Sequence, residues 1–295
     1  MELAAKQHQM KLIYDKYVRY LFVASASLMT VIILSIIIFV GQQGLQTFTE
    51  VSPLEFFFST KWDPMEGQYG AASFIMGSIY VTLLAVLMGT PLGLAGAVFM
   101  AKIAPAWLRE IMRPATDLYV AIPSVVYGFV GLTIIVPFIR INFDVSSGFG
   151  LLAAAFILAI MILPTIISIS EDAIRAVPRA LEEASLALGA TRWQTIWKVL
   201  LPAALPGILT SIILAMARAV GETMAVQMVI GNTPQFAKSL FMPTSTLPSE
   251  IVVEMGNTPF GSAWGDSLFL MALVLLMLSL GMILIIRRIA QRRMA

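Results

Sequence analysis

Two residues of opposite charge, Arg218 and Glu222, stand inside a long apolar stretch of this chain. An ionised side chain at the centre of a membrane helix costs about 2.5–3.5 kcal/mol even on lenient scales, so such residues usually mark a pathway. On one continuous helix, residues four apart share a face, and the two charges can pair. A guanidinium also offers fixed donors that suit a tetrahedral oxyanion. Two interpretations follow: an anion pathway that uses Arg218, or a structural ion pair that locks a helix bundle.

The chain has few other residues that could act in catalysis or bind a metal. Among 295 residues there is no cysteine and only one histidine, His8. This excludes a His/Cys zinc site, a thiol nucleophile, a disulfide framework and the HExxH arrangement. Hydrophobic residues make up 59% of the chain and charged residues 12%, about half the charged share of a typical soluble domain. The composition predicts a membrane protein, and it leaves a membrane-embedded enzyme almost without a nucleophile or base.

Six apolar stretches each reach the length of about 20 residues that crosses a hydrocarbon core of about 30 Å. We predict spans at Val18–Gly41, Phe74–Ala101, Leu118–Ile139, Gly150–Ile169, Ala204–Gly231 and Ser267–Ile286. The segment 18–286 is then one transmembrane domain, flanked by tails at 1–17 and 287–295. Of the 19 Lys and Arg residues, 15 fall in the segments on one side of these spans. Because basic residues in short loops stay cytoplasmic, both termini are predicted to be cytoplasmic.

Prolines interrupt three of the predicted spans, at Pro91, Pro123 and Pro164. Proline removes a backbone N–H, so we expect each of these helices to kink. Ser124 and Tyr127 follow Pro123 directly. Their hydroxyls either line a pathway or donate to the carbonyl that the proline leaves free, and the residues alone do not decide between these roles.

The loop between the fourth and fifth predicted spans carries clear helix signals. Pro178 suits the first turn of a helix, and Gly189 suits the left-handed conformation that ends one. Thr191 and Gln194 have capping-box spacing and open a second helix. One apolar face of that helix is formed by Trp193, Ile196, Trp197 and Leu200. We predict two short amphipathic helices at an elbow, with one side packed on the bundle and the other available to a partner.

Residues 171–202 resemble the EAA loop of bacterial ABC importer permeases. The family pattern is EAA, three residues, Gly, nine residues and I-x-L-P; here Glu-Ala-Ser begins at Glu183, Gly189 follows, and Val-Leu-Leu-Pro ends at Pro202. Serine for the second alanine and valine for isoleucine are mild departures. In that family the loop docks into a cleft of the ATPase subunit. The resemblance therefore implies a coupling role, and the alternative is a surface hairpin that only packs on the lipid interface. The residues concerned are Glu183, Ala184, Ser185, Gly189 and Pro202.

Other stretches resemble one subfamily, the PstC-type permeases of phosphate importers. They are the Ala-Ile-Pro-Ser-Val-Val-Tyr-Gly run at 121–128, the Gly-Glu-Thr-Met-Ala-Val run at 221–226 and Trp-Asp-Pro at 62–64. PstA-type permeases typically continue the same Gly-Glu-Thr with Ala-Pro. The resemblance covers nearly the whole chain. It implies an all-α membrane protein with the type I ABC importer permease fold, six transmembrane helices and a core at about 73–286.

The same resemblance implies that Arg218 and Glu222 take part in phosphate passage. We assign Thr223, Ser124 and Tyr127 to this substrate pathway as well. The implied partners are a second, PstA-like permease, a dimer of PstB-like ATPases and a PstS-like extracytoplasmic phosphate-binding protein, in the bacterial cytoplasmic (inner) membrane.

The chain contains no G-x-x-x-x-G-K-[ST] phosphate loop, so we expect ATP and Mg²⁺ on the ATPase subunit. We expect no cofactor, metal or nucleic acid on this chain, and no catalytic residue. The alternatives are a permease for another oxyanion, such as sulfate or molybdate, and a secondary anion transporter that works alone. The elbow, and the lack of an evident inverted repeat with paired broken helices, count against the second alternative.

Overall fold

Helices carry most of the chain. The computed structural model describes the backbone of residues 2–259 and 261–292, with side chains for 16–259 and 261–288. In these residues the α-helices are α1 (Glu2–Gln46), α2 (Pro53–Phe58), α3 (Ala72–Val98), α4 (Ala106–Ala121), α5 (Ser124–Val130), α6 (Val136–Asn142), α7 (Leu151–Arg175), α8 (Arg179–Ala187), α9 (Arg192–Thr195), α10 (Leu201–Val220), α11 (Met224–Ile230), α12 (Leu247–Glu254) and α13 (Ala263–Arg292). An antiparallel hairpin pairs β1 (Trp62–Asp63) with β2 (Gln68–Tyr69).

Shorter helical turns join some of these helices. Two are 3₁₀ turns, at Thr47–Thr49 and Pro64–Glu66. Three are π-helical turns: Phe99–Ile103 extends α3, Gly131–Ile135 joins α5 to α6, and Ile196–Leu200 joins α9 to α10.

The predicted number of spans is confirmed. Within the described residues, six helical segments are long and apolar enough to cross a membrane: Lys16–Thr49, Ala72–Ile103, Ser124–Asn142, Leu151–Arg175, Arg192–Val220 and Ala263–Arg288. The first and last helices run well past the predicted spans, so much of both predicted tails is helical. Met1 and residues 293–295 of those tails lie outside the described residues.

The third span begins later than predicted because Pro123 breaks the helix instead of kinking it. Leu118 belongs to the preceding helix, α4, and the span starts at Ser124. Ile122 has ψ 128° and Pro123 has ψ 138°, both extended. The residue before a proline avoids the helical region, because the proline ring crowds its backbone. By contrast, the prolines of the second and fourth spans lie inside α3 and α7.

The fifth span is also broken, although the sequence predicts one helix over Ala204–Gly231. Its long helix, α10, ends at Val220, and α11 begins only at Met224. Glycine is a poor helix former, and Gly221 stands at the start of the interruption. The predicted helices Leu118–Ile139 and Ala204–Gly231 are thus each interrupted, at residues 122–123 and 221–223.

The fourth span, α7, forms the centre of the helix bundle. It packs against α3 and α10, and its residues dominate the largest buried apolar cluster. Gly93 of α3 lies so close to α7 that an added Cβ would stand 2.6 Å from Cγ2 of Ile166. The first span lies at the edge of the bundle, where its main contact is with α13, and no residue in its apolar window is buried.

Two carboxyl groups lie on α12, between the fifth and sixth spans: Glu250 is buried, and Glu254, which is half-buried, ties α12 to β1 and α13. Glu254 at the end of α12 accepts the indole N–H of Trp62 at 2.9 Å and that of Trp264 at 2.6 Å. Glu250 lies one turn earlier, is 2% exposed, and its Oε2 has no hydrogen-bond partner in the described part of the chain. Burial, together with the nearby Glu254 carboxylate, raises the pKa of Glu250 to about 7.

This raised pKa predicts that stability falls as the pH rises. The folded-state pKa of Glu250 lies above its ordinary value of 4.5, so protonation stabilises the fold fully below about pH 4.5, and this contribution is lost as the pH rises through about 7. This contribution to the free energy of unfolding is at most about 3 kcal/mol. We expect the melting temperature in detergent to fall between about pH 5 and pH 8, and Glu250→Gln to remove the decline. The exposed control, Glu55→Gln, should keep it. A decline that persists in Glu250→Gln would assign it to another group.

Candidate functional site

The breaks in the third and fifth spans lie beside each other because α5 packs closely on α11. A Cβ added to Gly128 would stand 3.0 Å from Cα of Ala225 and 2.7 Å from Sδ of Met228, so this approach needs glycine. The preceding residue, Tyr127, is buried. Tyr127 and Ala219, the residue that follows Arg218, belong to the same buried apolar cluster. The structure thus brings together two of the five predicted pathway residues from different spans.

Arg218 and Glu222 do not form the ion pair that their spacing predicts. That pairing requires a continuous helix, and α10 ends between them. Glu222 instead accepts the backbone N–H of Ala225 on Oε1 at 3.3 Å, where the Gly221 carbonyl would be the acceptor in an unbroken helix. In the part of the chain that the structure describes, no carboxylate lies within salt-bridge distance of Arg218. Its half-buried guanidinium therefore lacks the predicted partner.

The hydroxyls of the predicted pathway have distinct positions. Tyr127 donates its hydroxyl to the Tyr119 carbonyl at 2.7 Å, and this is the carbonyl that loses its helical donor at the proline. Thr223 donates to the carbonyl of Gly221 at 3.3 Å, within the break. Ser124 is half-buried at the start of α5. Tyr127 is thus engaged with the backbone, which is one of the two roles that its position allows.

The charge available to an anion at the fifth-span break is that of Arg218. Arg218 stands in the last turn of α10, where the negative end of the helix dipole stabilises its cation. A guanidinium held in an apolar bundle without a carboxylate at salt-bridge distance keeps its donors available for an oxyanion. A metal is not suggested, because the described residues contain no group of three or more His, Cys, Asp or Glu that could hold one.

The elbow between the fourth and fifth spans forms with the predicted local signals. Gly189 follows α8 with φ +84°, the left-handed conformation that glycine adopts at little cost. Thr191 accepts the N–H of Gln194 at 3.2 Å, and the Gln194 side chain accepts the N–H of Thr191 at 2.8 Å. The capping box is therefore confirmed. Pro178 is the N-cap of α8, immediately before its first helical residue.

The second helix of the elbow is not a separate short helix. It continues from α9 through the π turn into α10, so the segment Arg192–Val220 is one helical run. The four residues predicted to form one apolar face do not all point the same way. The π turn has more residues per turn than the 3.6 of an α-helix, on which the prediction is based. Ile196 and Leu200 are buried in the bundle, whereas Trp193 and Trp197 are 57% and 63% exposed.

Side-chain contacts fix the elbow to the bundle. Lys102 Nζ, at the end of the second span, pairs with Glu182 Oε2 of α8 at 2.5 Å. Within the elbow, Ser185 Oγ of α8 lies 2.9 Å from Thr195 Oγ1 of α9. The other predicted coupling residues face outward. Glu183, Ala184, Gly189 and Pro202 are all exposed. A shallow cleft of about 370 Å³ runs between the two arms, lined by Ser185, Leu188, Gly189, Ala190, Gln194, Lys198 and Val199. The outward side can meet a partner.

Sequence reasoning missed the contribution of α4 to this architecture. Arg109 donates to the carbonyls of Met100 and Ala104, each at 3.1 Å, and so fixes the start of α4 to the end of the second span. Arg113 pairs with Asp172 of α7. The spacing of these two arginines, four residues apart just before an apolar stretch, is the signal that could have revealed a separate amphipathic helix.

Comparison with known proteins identifies the family. Residues 89–295 match the family described as the binding-protein-dependent transport system inner membrane component. The chain is 49% identical to a probable ABC transporter permease protein, YqgH of Bacillus subtilis, over 93% of this chain and 90% of that protein. It is 34% identical to the phosphate transport system permease protein PstC of Mesorhizobium japonicum, over 91% and 88% of the two chains.

Solved structures of ABC transporters share the fold. A chain of the MetNI methionine ABC transporter has a TM-score of 0.58 at 22% identity, covering 79% of this chain and 99% of that chain. A chain of the bacterial alginate ABC transporter has a TM-score of 0.60 at 14% identity, covering 95% and 97%. At these identities the likeness concerns the fold alone, and it confirms the predicted type I permease fold. The chain belongs to the family of inner membrane components of binding-protein-dependent transport systems, and it is a permease subunit of an ABC importer.

Proposed function

We propose that this permease translocates inorganic phosphate into the cytoplasm. The observation that carries the proposal is Arg218, a guanidinium at the break of the fifth span with no carboxylate partner among the described residues. The similarity to PstC permeases supports phosphate as the anion. The methionine and alginate transporters share the fold only, and they carry no argument about the substrate.

The geometry of the break suits transient binding of an oxyanion. Arg218 supplies charge and fixed donors, whereas the Glu222 carboxylate is engaged by the N–H of Ala225. A nearby carboxylate limits how tightly an anion is held, and passage requires that the anion leave again. Thr223 and Ser124 complete the proposed pathway around the two breaks, and Tyr127 borders it with its hydroxyl engaged by the backbone. In this proposal Arg218 is the binding group, and Glu222 tunes its affinity.

The proposed assembly follows from family membership and from the elbow. An ABC importer permease works with a second permease, an ATPase and a binding protein; we propose PstA-like, PstB-like and PstS-like subunits for these three. ATP and Mg²⁺ bind to the ATPase, and both termini of this chain lie in the cytoplasm. The exposed coupling residues Glu183, Ala184 and Gly189 then face the ATPase dimer.

Replacing Arg218 tests the anion site. We expect Arg218→Gln to lower phosphate uptake at least about tenfold, since a charge-assisted hydrogen bond of roughly 1.5–3 kcal/mol is lost, while membrane abundance is retained. Arg140→Gln, at the exposed end of α6, is the matched control. Glu222→Gln keeps an acceptor for Ala225 and should assemble normally but release phosphate more slowly. Uptake would be measured in vesicles with sulfate and molybdate as competitors; wild-type uptake by Arg218→Gln would refute the site.

A charge on the outer side of α8 tests the coupling role. We expect Ala184→Glu to reduce uptake about tenfold or more, because docking would bury a carboxylate without a partner, while the basal ATPase activity of the complex persists. Gly189→Trp should act similarly, with added strain at φ +84°. Met65→Glu, an equally exposed change on the other side of the membrane, should leave uptake unchanged. Normal uptake by Ala184→Glu, at normal abundance, would rule out docking through α8.

Reporter fusions test the orientation. Fusions near residues 55, 145 and 250 should report an extracytoplasmic position, and those near 110, 190 and the C-terminus a cytoplasmic one. Fusions within the apolar helices serve as the baseline. A C-terminus on the outer side would place the elbow away from any ATPase and would overturn the proposed assembly.

A further inference from the structure

One side-chain hydrogen bond crosses the break in the third span, among the described residues. The Tyr127 hydroxyl of α5 donates to the Tyr119 carbonyl of α4 at 2.7 Å, across the extended residues Ile122 and Pro123. The two rings also pack together, with centroids 5.2 Å apart. The α4–α5 junction is therefore held by the side chain of one residue rather than by a helical hydrogen-bond ladder.

The hydrogen bond from Tyr127 to the Tyr119 carbonyl replaces one that the proline at the break removes. In a continuous helix the N–H of residue 123 would donate to the Tyr119 carbonyl, and proline has no N–H to give. The N–H of Ile122 reaches the same carbonyl only at 3.3 Å. A carbonyl left without a good donor in a membrane bundle is costly, so the Tyr127 hydroxyl offsets a defect that the proline creates.

Packing contacts connect α5, the helix that carries Tyr127, to the fifth-span break. Gly128 brings α5 against Ala225 of α11, and Gly131 lies so close to Val229 that an added Cβ would stand 2.8 Å from its Cγ1. The N–H of Ala225 in turn holds the Glu222 carboxylate. Arg218, by contrast, stands on α10, which packs on α7 and α3 in the centre of the bundle. The position of α5 thus bears on where Glu222 lies relative to Arg218.

We propose that Tyr127 is a positioning residue whose hydroxyl clasps α4 to α5, the helix that opens the third span, and thereby sets the place of Glu222 relative to Arg218. The hydroxyl acts on the backbone, not on the substrate. The clasp itself is independent of what the transporter carries, whereas its effect on anion binding rests on the proposed function.

Distance measurements across the break test the clasp. The chain has no cysteine, so spin labels attach only at Ile111→Cys on α4 and Phe138→Cys on α6, both exposed positions. In the assembled transporter in lipid nanodiscs, Tyr127→Phe keeps the ring and removes the donor. We expect the fraction of molecules with the wild-type label distance to fall, by about two- to tenfold in the ratio of clasped to unclasped forms.

A second tyrosine provides the matched control. The ring of Tyr80 packs edge-on against Phe236, and its hydroxyl makes no hydrogen bond among the described residues. Tyr80→Phe should therefore leave the distance distribution as in the wild type. Identical distributions for Tyr127→Phe and Tyr80→Phe would overturn the clasp.

Uptake kinetics test the positioning role separately. We expect Tyr127→Phe to raise the KM for phosphate by about two- to tenfold while the maximal rate and membrane abundance are retained. A broadened distance distribution with an unchanged KM would show a clasp that does not position the anion site, and so would refute that role. If Arg218→Gln were to transport normally, the proposed function would fail while the distance result would still decide the clasp.

Discussion

Hydrocarbon offers no hydrogen-bond partner to a backbone amide or carbonyl, so a helix that stops inside a membrane bundle must find other partners for the groups it frees. This protein interrupts its helices at residues 122–123, immediately before the third span, and at 221–223, immediately after the long helix of the fifth. In each case a side chain supplies the missing partner: the hydroxyl of Tyr127 for a carbonyl, and the carboxylate of Glu222 for an N–H. The candidate site is assembled largely from the residues that repair these two breaks.

These replacement hydrogen bonds also explain why Arg218 and Glu222 do not pair. Because Glu222 serves the backbone of α11, it does not neutralise Arg218, and the helix dipole of α10 helps to hold the cation in place. The surrounding bundle is packed closely enough to keep this arrangement fixed, with α7 against α3 at Gly93 and α5 against α11 at Gly128. Small residues at these contacts let the backbones approach, as is usual for helices that associate in membranes.

The features that could be predicted from the sequence are those with a signal in a few neighbouring residues or one summed along a stretch of chain. The six spans follow from apolar length, and the elbow follows from Gly189 and the Thr191 capping box. The break at 221–223 is not predictable in this way, since apolar residues continue on both sides and hide it. The hydrogen bond that Trp62 donates to Glu254 joins residues 192 positions apart, which no local pattern reveals. Finally, the proposal that the anion is phosphate rests on family resemblance, because a guanidinium alone does not distinguish tetrahedral oxyanions.

The uninterrupted run from the elbow to Arg218 has a mechanical consequence. The helical run from Arg192 to Arg218 contains 26 residue-to-residue steps and is a rod about 39 Å long at the rise of an α-helix. A lever of that length converts a tilt of about 5° at one end into a displacement of roughly 3 Å at the other. The π turn and Pro206 are where the rod bends most easily. A push applied to the elbow would therefore displace the guanidinium, and bending at those two points would reduce the displacement.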